Sequence, residues 1–163
     1  MERAVMIIGV IGGGDVSKEV GELAKDVGRR IAESGAVLLC GGRGGVMEMA
    51  CMGAKEAGGL TVGILPTADP DDANPYVDVR IPTGMGFARN AIIAVASDAL
   101  IAIGGRYGTL SEIAHALNLR KRVIGLRTWG LERIDESGEN FIPAKDAEEA
   151  VRLAVREASE SNR

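Results

Sequence analysis

The sequence contains few aromatic residues and almost no histidine. Its 163 residues include one Trp, two Tyr, two Phe and one His. A protein that stacks single-stranded bases on aromatic side chains needs more rings than this. The lone histidine, His115, lies in the middle of a predicted helix, where such a residue is usually structural. We therefore expect neither a base-stacking platform nor an acyl-transfer triad.

Long apolar runs and metal-site cysteine spacings are also missing. No stretch reaches the ~18 apolar residues of a membrane span, and Ala4–Ile11 is followed by three glycines rather than a signal cleavage site. Cys40 and Cys51 have no metal-site spacing, so we expect two buried thiols in a reducing compartment. These observations predict a cytoplasmic protein with no membrane partner and no metal.

The charge balance argues against nucleic acid as a partner. The chain has 19 basic and 23 acidic residues, a net charge of −4. Non-specific binding to nucleic acid depends on a basic surface, which this composition does not provide. The basic residues are mostly arginine, with 14 Arg and 5 Lys, and arginine suits bidentate recognition of phosphate or carboxylate.

Glycine is abundant, with 23 positions, about twice its average usage. The glycines have no three-residue period, which excludes a collagen-like chain. Hydrophobic residues make up 46% of the sequence, which excludes a disordered one. The length suits one domain spanning residues 1–163.

Short runs rich in Val, Ile and Leu alternate with helical patterns. Because the runs do not alternate with polar residues, they are typical of strands in a parallel sheet covered on both faces. We predict strands over Ala4–Ile11, Ala36–Cys40, Thr61–Leu65, Val77–Ile81, Ala99–Ile103 and Val123–Leu126. The α/β alternation predicts a doubly wound, mainly parallel sheet, Rossmann-like, with helices on both faces.

Five helices are predicted between and after these strands. The first has Ser17 and Gly35 as caps, and the last is opened by the capping box Asp146-x-x-Glu149. The others cover Met47–Ala57, Ala88–Ser97 and Thr109–Leu119. The third of the five is apolar on all sides, which predicts a homodimer or higher homo-oligomer, or alternatively a fully internal helix.

The link between Leu65 and Val77 has no helical pattern. Its three prolines and several aspartates predict a surface loop. A calcium site is not expected, because the aspartate run lacks the glycine that an EF-hand turn requires at its sixth position.

The glycines concentrate where the predicted strands end. Twelve of the 23 follow strands one, two, four and five, in the groups 12–14, 41–45, 84–86 and 104–108. In open α/β sheets ligands bind at the carboxyl ends of the strands, and glycine lets the backbone approach them closely. The pattern predicts a site for a phosphate-bearing ligand.

The familiar phosphate-binding fingerprints are absent. No segment matches a P-loop, and the nearest candidate for a dinucleotide fingerprint, Gly84-x-Gly86-x-x-Arg89, ends in arginine. The ligand site must therefore be of another type.

Two segments carry a family resemblance. Gly41–Met47 reads GGRGGVM, and Gly104–Glu112 reads GGRYGTLSE. Together they resemble the superfamily of the LOG phosphoribohydrolases and the molybdenum cofactor carrier proteins. The segments Ala73–Asp78 (ANPYVD) and Gly86–Asn90 (GFARN) are more similar to the carrier-like branch.

The resemblance implies roles for particular residues. Arg89 and Glu112 match the catalytic pair of the LOG enzymes, which cleave the N-glycosidic bond of nucleoside 5′-monophosphates. A carboxylate can stabilise the oxocarbenium-like sugar, and an arginine can hold phosphate or polarise the leaving base. The implied ligand-binding residues are Gly12, Gly13, Gly42, Arg43, Gly44, Gly45, Gly104, Gly105, Tyr107, Gly108 and Thr109.

Some of these residues have a second interpretation. Thr109-x-x-Glu112 also matches a capping box, which requires no ligand. Arg89 lies near a helix N-terminus, where its charge opposes the helix dipole unless an anion or carboxylate is bound nearby. Arg43 and Arg106 contact either ligand or solvent.

The sequence also departs from the LOG pattern. The proline expected before the glycine pair that precedes Tyr107 is absent, and Asn90 replaces the lysine that commonly follows the catalytic arginine. We therefore expect a binding protein for a nucleotide or molybdopterin-type phosphate ligand, with no cofactor required. The alternative is a phosphoribohydrolase. Lysine decarboxylation is not expected, because no lysine lies in a glycine turn.

Overall fold

Seven parallel strands form one sheet within the part of the chain that the computed structural model describes, residues 4–131 and 139–161. The strand order is β4-β3-β2-β1-β5-β6-β7, and every neighbouring pair is parallel. The strands are β1 Ile7–Gly12, β2 Val37–Cys40, β3 Thr61–Leu65, β4 Val79–Pro82, β5 Ala99–Ile103, β6 Arg122–Leu126 and β7 Phe141–Pro143.

Five α-helices connect and follow the strands in the described ranges. They are α1 Lys18–Glu33, α2 Val46–Glu56, α3 Asn90–Ala96, α4 Tyr107–Asn118 and α5 Ala147–Ser161. Two short 3₁₀ turns, Pro70–Asp72 and Gly86–Arg89, lie in the connections on either side of β4. None of the described helices is long and apolar enough to cross a bilayer.

The first and last helices begin at the residues predicted to cap them. The Ser17 hydroxyl accepts a hydrogen bond from the Val20 amide at 3.2 Å, and the Asp146 carboxylate accepts one from the Glu149 amide at 2.8 Å. Gly35 follows the end of α1 with a φ of +79°, a left-handed conformation that glycine adopts without strain.

The alternation of side chains along each strand divides the core between the two faces of the sheet. Ile8 and Val10 of β1 belong to a cluster with α1, α2 and α5. Ile11 of the same strand belongs to a cluster with α3 and α4, which contribute Ile93 and Ile113. Both faces are therefore covered by helices, and the predicted Rossmann-like α/β class is confirmed.

The strand order reverses between β1 and β5. From β1 the chain winds outward through β2, β3 and β4, then returns to β5 and winds outward the other way. At such a switch point the connections that leave two neighbouring strands go to opposite faces, which opens a crevice at the carboxyl edge. Gly12 and Ile103 are the last residues of these two strands.

The short strand β7 was not predicted, and the predicted acidic surface loop includes one short 3₁₀ turn. One local expectation was wrong, the start of the fourth helix. Helix α4 begins at Tyr107, and the side chain of its N-cap residue Arg106 makes no capping hydrogen bond. Thr109 therefore lies inside the helix, and the capping-box interpretation of Thr109-x-x-Glu112 fails.

Candidate functional site

A cleft of about 350 Å³ opens at the switch point, above the ends of β1 and β5. It is bounded by the turn after β1, the start of α4, and the segment that leads into α3. Its lining residues are Gly12, Gly13, Gly14, Asp15, Met47, Phe87, Arg89, Asn90, Arg106, Gly108, Thr109 and Glu112.

The turn after β1 requires glycine because other elements pack directly against it. A Cβ atom on Gly12 would lie 2.7 Å from the Ile103 carbonyl oxygen and 2.7 Å from the Val46 side chain. The Gly13 carbonyl accepts a hydrogen bond from the Val46 amide at 3.0 Å. These contacts hold the turn's backbone at the wall of the cleft.

The N-terminus of α4 forms a second wall. The amide N–H groups of a first helical turn have no partners within the helix and carry partial positive charge. Gly108 and Thr109 lie in that turn and line the cleft. No atom other than its chain neighbours and the backbone of its own helix would come within 4 Å of a Cβ on Gly108, so the space beside its backbone is open. This arrangement suits an anionic group.

Arg89 lies at the floor of the cleft and is only 7% exposed. Its Nε donates to the Ile64 carbonyl at 2.9 Å, and its Nη2 donates to the Gly41 carbonyl at 3.3 Å. Its Nη1 donates to the Asn90 side-chain oxygen. All three acceptors are neutral, so they satisfy the donors without cancelling the positive charge. Burial lowers the pKa of Arg89, which remains charged at neutral pH.

Glu112 is the carboxylate that shares the cleft floor with Arg89. Burial raises the pKa of Glu112 from its ordinary 4.5 to about 7, even though the Arg89 charge acts in the opposite direction. A carboxyl group with this pKa exchanges its proton near neutral pH. It can therefore act as a general acid or base, or donate a hydrogen bond while protonated.

The structure brings six of the thirteen predicted site residues to the cleft lining. They are Gly12, Gly13, Arg89, Gly108, Thr109 and Glu112. The other seven lie nearby but outside the lining set: Gly42, Arg43, Gly44, Gly45, Gly104, Gly105 and Tyr107. Whether any of the thirteen binds a ligand stays a prediction.

The residues outside the lining have contacts within the protein. Gly45 packs against the turn after β1, where a Cβ would overlap the Gly13 carbonyl oxygen. The Arg43 guanidinium donates to the Asp72 carbonyl at 3.2 Å. A Cβ on Gly105 would overlap the Thr109 side chain.

An aromatic pair stands next to the start of α4. Tyr107 stacks on Trp129 with ring centroids 6.0 Å apart, and the Trp129 indole donates to the Arg106 carbonyl at 3.1 Å. The neighbouring Thr128 hydroxyl donates to the Gly104 carbonyl at 2.6 Å. The turn after β6 therefore supports the glycine turn after β5, although the sequence carried no signal for this contact.

Sequence reasoning did not assign Met47 or Asn90 to the site. Both adjoin predicted motifs, since Met47 ends the GGRGGVM segment and Asn90 follows Arg89. Their positions next to these motifs could have identified Met47 and Asn90 as site residues. The described residues contain no group of three or more side chains that could hold a metal ion.

The fold and cleft define a Rossmann-like α/β domain with its candidate site at the switch point. The chain belongs to the SLOG cluster4 family, whose model matches residues 5–160. It is thus a member of the LOG and molybdenum cofactor carrier-like superfamily, and the predicted resemblance is confirmed.

Two sequence relatives show the range of the family. A protein of Archaeoglobus fulgidus, described as uncharacterized, is 54% identical over 123 residues, which cover 76% of this chain and 81% of the relative. A cytokinin riboside 5′-monophosphate phosphoribohydrolase of Rhodococcoides fascians is 36% identical over 102 residues. That match covers 60% of this chain and about half of the enzyme, 51%.

Two solved structures are closely similar over nearly the whole chain. The molybdenum cofactor binding protein of Rippkaea orientalis has a TM-score of 0.88 and 40% identity, covering 95% of this chain and 98% of that one. The molybdenum cofactor carrier protein of Chlamydomonas reinhardtii has a TM-score of 0.86 and 37% identity, covering 94% and 99%.

Proposed function

We propose that this chain is a cytoplasmic binding and carrier protein for a phosphate-bearing nucleotide or pterin-type ligand. The observation that carries the proposal is the buried guanidinium of Arg89, which is bonded only to neutral oxygens within the described residues. Glu112 shares the cleft, but its pKa of about 7 leaves it partly protonated near neutral pH, so it compensates the Arg89 charge only in part. A buried charge that is incompletely compensated is costly. An anionic ligand in the adjoining cleft would provide that compensation.

The surroundings of Arg89 support an anion. The N-terminus of α4 adds partial positive charge at Gly108 and Thr109. The Glu112 carboxylate would repel an anion, but below about pH 7 this group is largely protonated and neutral. The cleft is therefore most favourable to a phosphate at and below neutral pH.

The similar solved structures support a carrier role. Both neighbours are described as molybdenum cofactor binding or carrier proteins, and they match more than nine-tenths of this chain.

The test is ligand release followed by ligand binding. Mass spectrometry of small molecules freed from the purified protein identifies what it carries. Thermal unfolding with AMP, GMP and inorganic phosphate then measures stabilisation, which grows with ligand concentration. Arg89→Ala and Gly108→Asp should remove most of the stabilisation, whereas exposed Arg152→Ala should not. The absence of any shift in the wild-type chain, together with no released molecule, would contradict the proposal.

A second candidate function is phosphoribohydrolase activity. It is favoured by one observation, that Glu112 titrates near pH 7 in the same cleft as Arg89, and by the similarity to the Rhodococcoides fascians enzyme. The carboxylate would stabilise an oxocarbenium-like ribose or orient water. Chromatography should then show free adenine released from AMP, lost in Glu112→Gln. Intact AMP after long incubation with concentrated protein would exclude this activity on AMP.

We also propose that the chain associates with a second copy. Helix α3 is not internal, because Val95 is 60% exposed, and the preceding segment leaves Phe87 85% exposed. Large apolar side chains exposed on the same short stretch of chain are candidates for an interface. Sedimentation velocity should show a dimer or larger species that Val95→Glu dissociates, with Leu60→Glu on a separate surface as the control. A monomer at all concentrations would contradict this.

A further inference from the structure

One segment singled out in the sequence has no role in the function described so far. Ala73–Asp78 (ANPYVD) connects the first 3₁₀ turn to β4 and packs against the glycine loop Gly41–Gly45. Its residue Asn74 is only 7% exposed, although its side chain is polar. A buried amide of this kind is normally held in place by hydrogen bonds.

Asn74 makes three hydrogen bonds, of which two join the segment to the glycine loop and one lies within the segment. Its backbone N–H donates to the Gly42 carbonyl at 2.8 Å. Its side-chain Nδ2 donates to the Arg43 carbonyl at 2.8 Å, and its Oδ1 accepts from the Tyr76 amide at 3.0 Å. Two successive carbonyls of the glycine loop are therefore fixed by one residue.

The same loop supplies one of the two backbone acceptors that hold Arg89. Nε of Arg89 is bonded to the Ile64 carbonyl, which lies in strand β3 and is held by the sheet. Nη2 is bonded to the Gly41 carbonyl, one residue before Gly42. The peptide unit that carries this carbonyl is held on its other side by the Gly42 N–H, which donates to Cys40 Sγ at 3.3 Å. Because Gly41 and Gly42 have no side chains, the rest of the support for this peptide comes from the bonds that hold the peptides after it.

We propose that Asn74 is a positioning residue that fixes the Arg89 guanidinium opposite Glu112, by clamping the Gly42 and Arg43 carbonyls of the glycine loop. The inference rests on the proposed function, since it concerns the same cleft. Asn74 does not line the cleft, and it acts only through the loop. A substitution of Asn74 keeps the backbone bond to the Gly42 carbonyl and removes the side-chain bond to the Arg43 carbonyl. The loop is then held less firmly, and the Gly41 carbonyl that accepts from Nη2 shifts, while Nε and Nη1 of Arg89 keep their bonds to Ile64 and Asn90.

The chain offers a neutral matched control in the same segment. The Thr61 hydroxyl donates to the Tyr76 carbonyl at 2.6 Å and accepts from the Asp78 amide at 2.9 Å. Thr61→Val removes these two bonds and a third, from the Thr61 hydroxyl to the Asp78 carboxylate at 3.2 Å. It loosens the far end of the segment without a change of charge and without touching Gly42 or Arg43. This variant shows how far a general loosening of the segment by itself changes the properties of the cleft.

The test compares Asn74→Ser and Asn74→Ala with Thr61→Val. Serine keeps a short oxygen for the Tyr76 amide but is too short to reach the Arg43 carbonyl. The first readout is the carboxyl titration of Glu112, followed by NMR with ¹³C-labelled glutamate and assigned with Glu112→Gln. The second is the dissociation constant for AMP. The charged groups that face Glu112 in the cleft are Arg89, Arg106 and Asp15.

The expected result separates the variants. Because the Arg89 charge lowers the pKa of Glu112, both Asn74 variants should move the Glu112 midpoint to higher pH, and AMP binding should weaken about tenfold. Thr61→Val should lower thermal stability but leave the midpoint and the affinity unchanged. If Asn74→Ala does not fold, Asn74→Ser decides.

An unchanged Glu112 midpoint in a folded Asn74 variant would overturn the inference, as would an equal shift in Thr61→Val. The titration needs no ligand. A wild-type chain that fails to bind AMP would therefore count against the proposed function on that nucleotide, while the midpoints would still decide the role of Asn74.

Discussion

Two glycine-rich regions of this molecule have similar sequences and different surroundings. The loop Gly41–Gly45 follows β2, and the turn Gly12–Gly14 follows β1. In the loop, Gly41 contacts Arg89 and Gly45 packs on the backbone of Gly13 and Gly14. In the turn, by contrast, Gly14 has no neighbouring atom within 4 Å of a Cβ position and lines the cleft.

The comparison teaches that the glycine excess has more than one physical cause. Some glycines leave open space beside the cleft, and others leave room for the protein itself. A third set lies in helices, where a Cβ on Gly28 would overlap the Ala50 carbonyl and one on Gly53 would overlap the Lys25 carbonyl. Helices α1 and α2 are in direct backbone contact at these positions.

The largest expected loss of stability comes from a substitution in the tightly packed glycine loop Gly41–Gly45. Gly45 has φ +66° and ψ −129°, a region that residues with a side chain avoid, and its added Cβ would also overlap the Gly13 carbonyl. Gly45→Ala should lower the free energy of unfolding by about 2–5 kcal/mol. Urea unfolding measures it.

The neighbouring glycine is the control for that substitution. A Cβ on Gly44 would lie 3.5 Å from the Gly14 carbonyl oxygen, an ordinary contact. Gly44→Ala should therefore change stability by less than about 1 kcal/mol. Equal losses at Gly44 and Gly45 would show that the loop is not packed as described.

The next largest effect is the contribution of Glu112, in the cleft, to the pH dependence of the unfolding free energy. Burial raises the folded-state pKa of Glu112 from 4.5 to about 7, so between these values the folded chain binds more protons than the unfolded chain. Stability from this group therefore falls as pH rises from 4.5 to 7 and is level above 7. Glu112→Gln should remove this fall and stabilise the protein at pH 8 by on the order of 1–3 kcal/mol.

Unfolding free energies at pH 5 and pH 8 test this prediction. The difference in unfolding free energy between the wild-type chain and Glu112→Gln should change between the two pH values. The corresponding difference for Glu160→Gln, at an exposed position, should stay the same. A pH-independent difference for Glu112→Gln would mean that the carboxyl group is not desolvated in the folded protein.

The smallest effect concerns a glycine at the start of α4, which lines the same cleft as Gly14 and is equally open. Gly108 is the second residue of α4, and an added Cβ would meet no atom within 4 Å beyond its chain neighbours and its own helix backbone. Gly108→Ala should stabilise the chain by about 0.5–1 kcal/mol, because alanine favours the helix. The same methyl group enters the cleft, so AMP affinity should fall. Stabilisation with unchanged affinity would place the ligand away from Gly108.

The fold was largely predictable from the sequence. Strands β3 and β5 match their predicted bounds, Thr61–Leu65 and Ala99–Ile103, because short runs of Val, Ile and Leu between glycine turns have few alternatives. The three-residue strand β7 was missed because Phe141–Pro143 is too short for a pattern and ends in proline.

The site was predictable only in part. Glycine turns at strand ends pointed to the edge of the sheet where the cleft opens, and Arg89 and Glu112 do share that cleft. The capping alternative for Thr109 failed because α4 starts two residues earlier, at Tyr107. Whether a glycine packs against another element or faces the cleft depends on contacts between segments that are far apart in the chain. A local sequence pattern contains no information about such contacts.

By itself the sequence determined the α/β class, the parallel sheet and the edge at which the glycine turns gather. These follow from periodicity and local conformational preference, which act over a few residues. The tertiary structure alone decided that Arg89 is bonded to the carbonyls of Ile64 and Gly41, and that burial raises the pKa of Glu112 to about 7. Both depend on desolvation and on contacts between distant segments, because the charge of a group is set by everything packed around it.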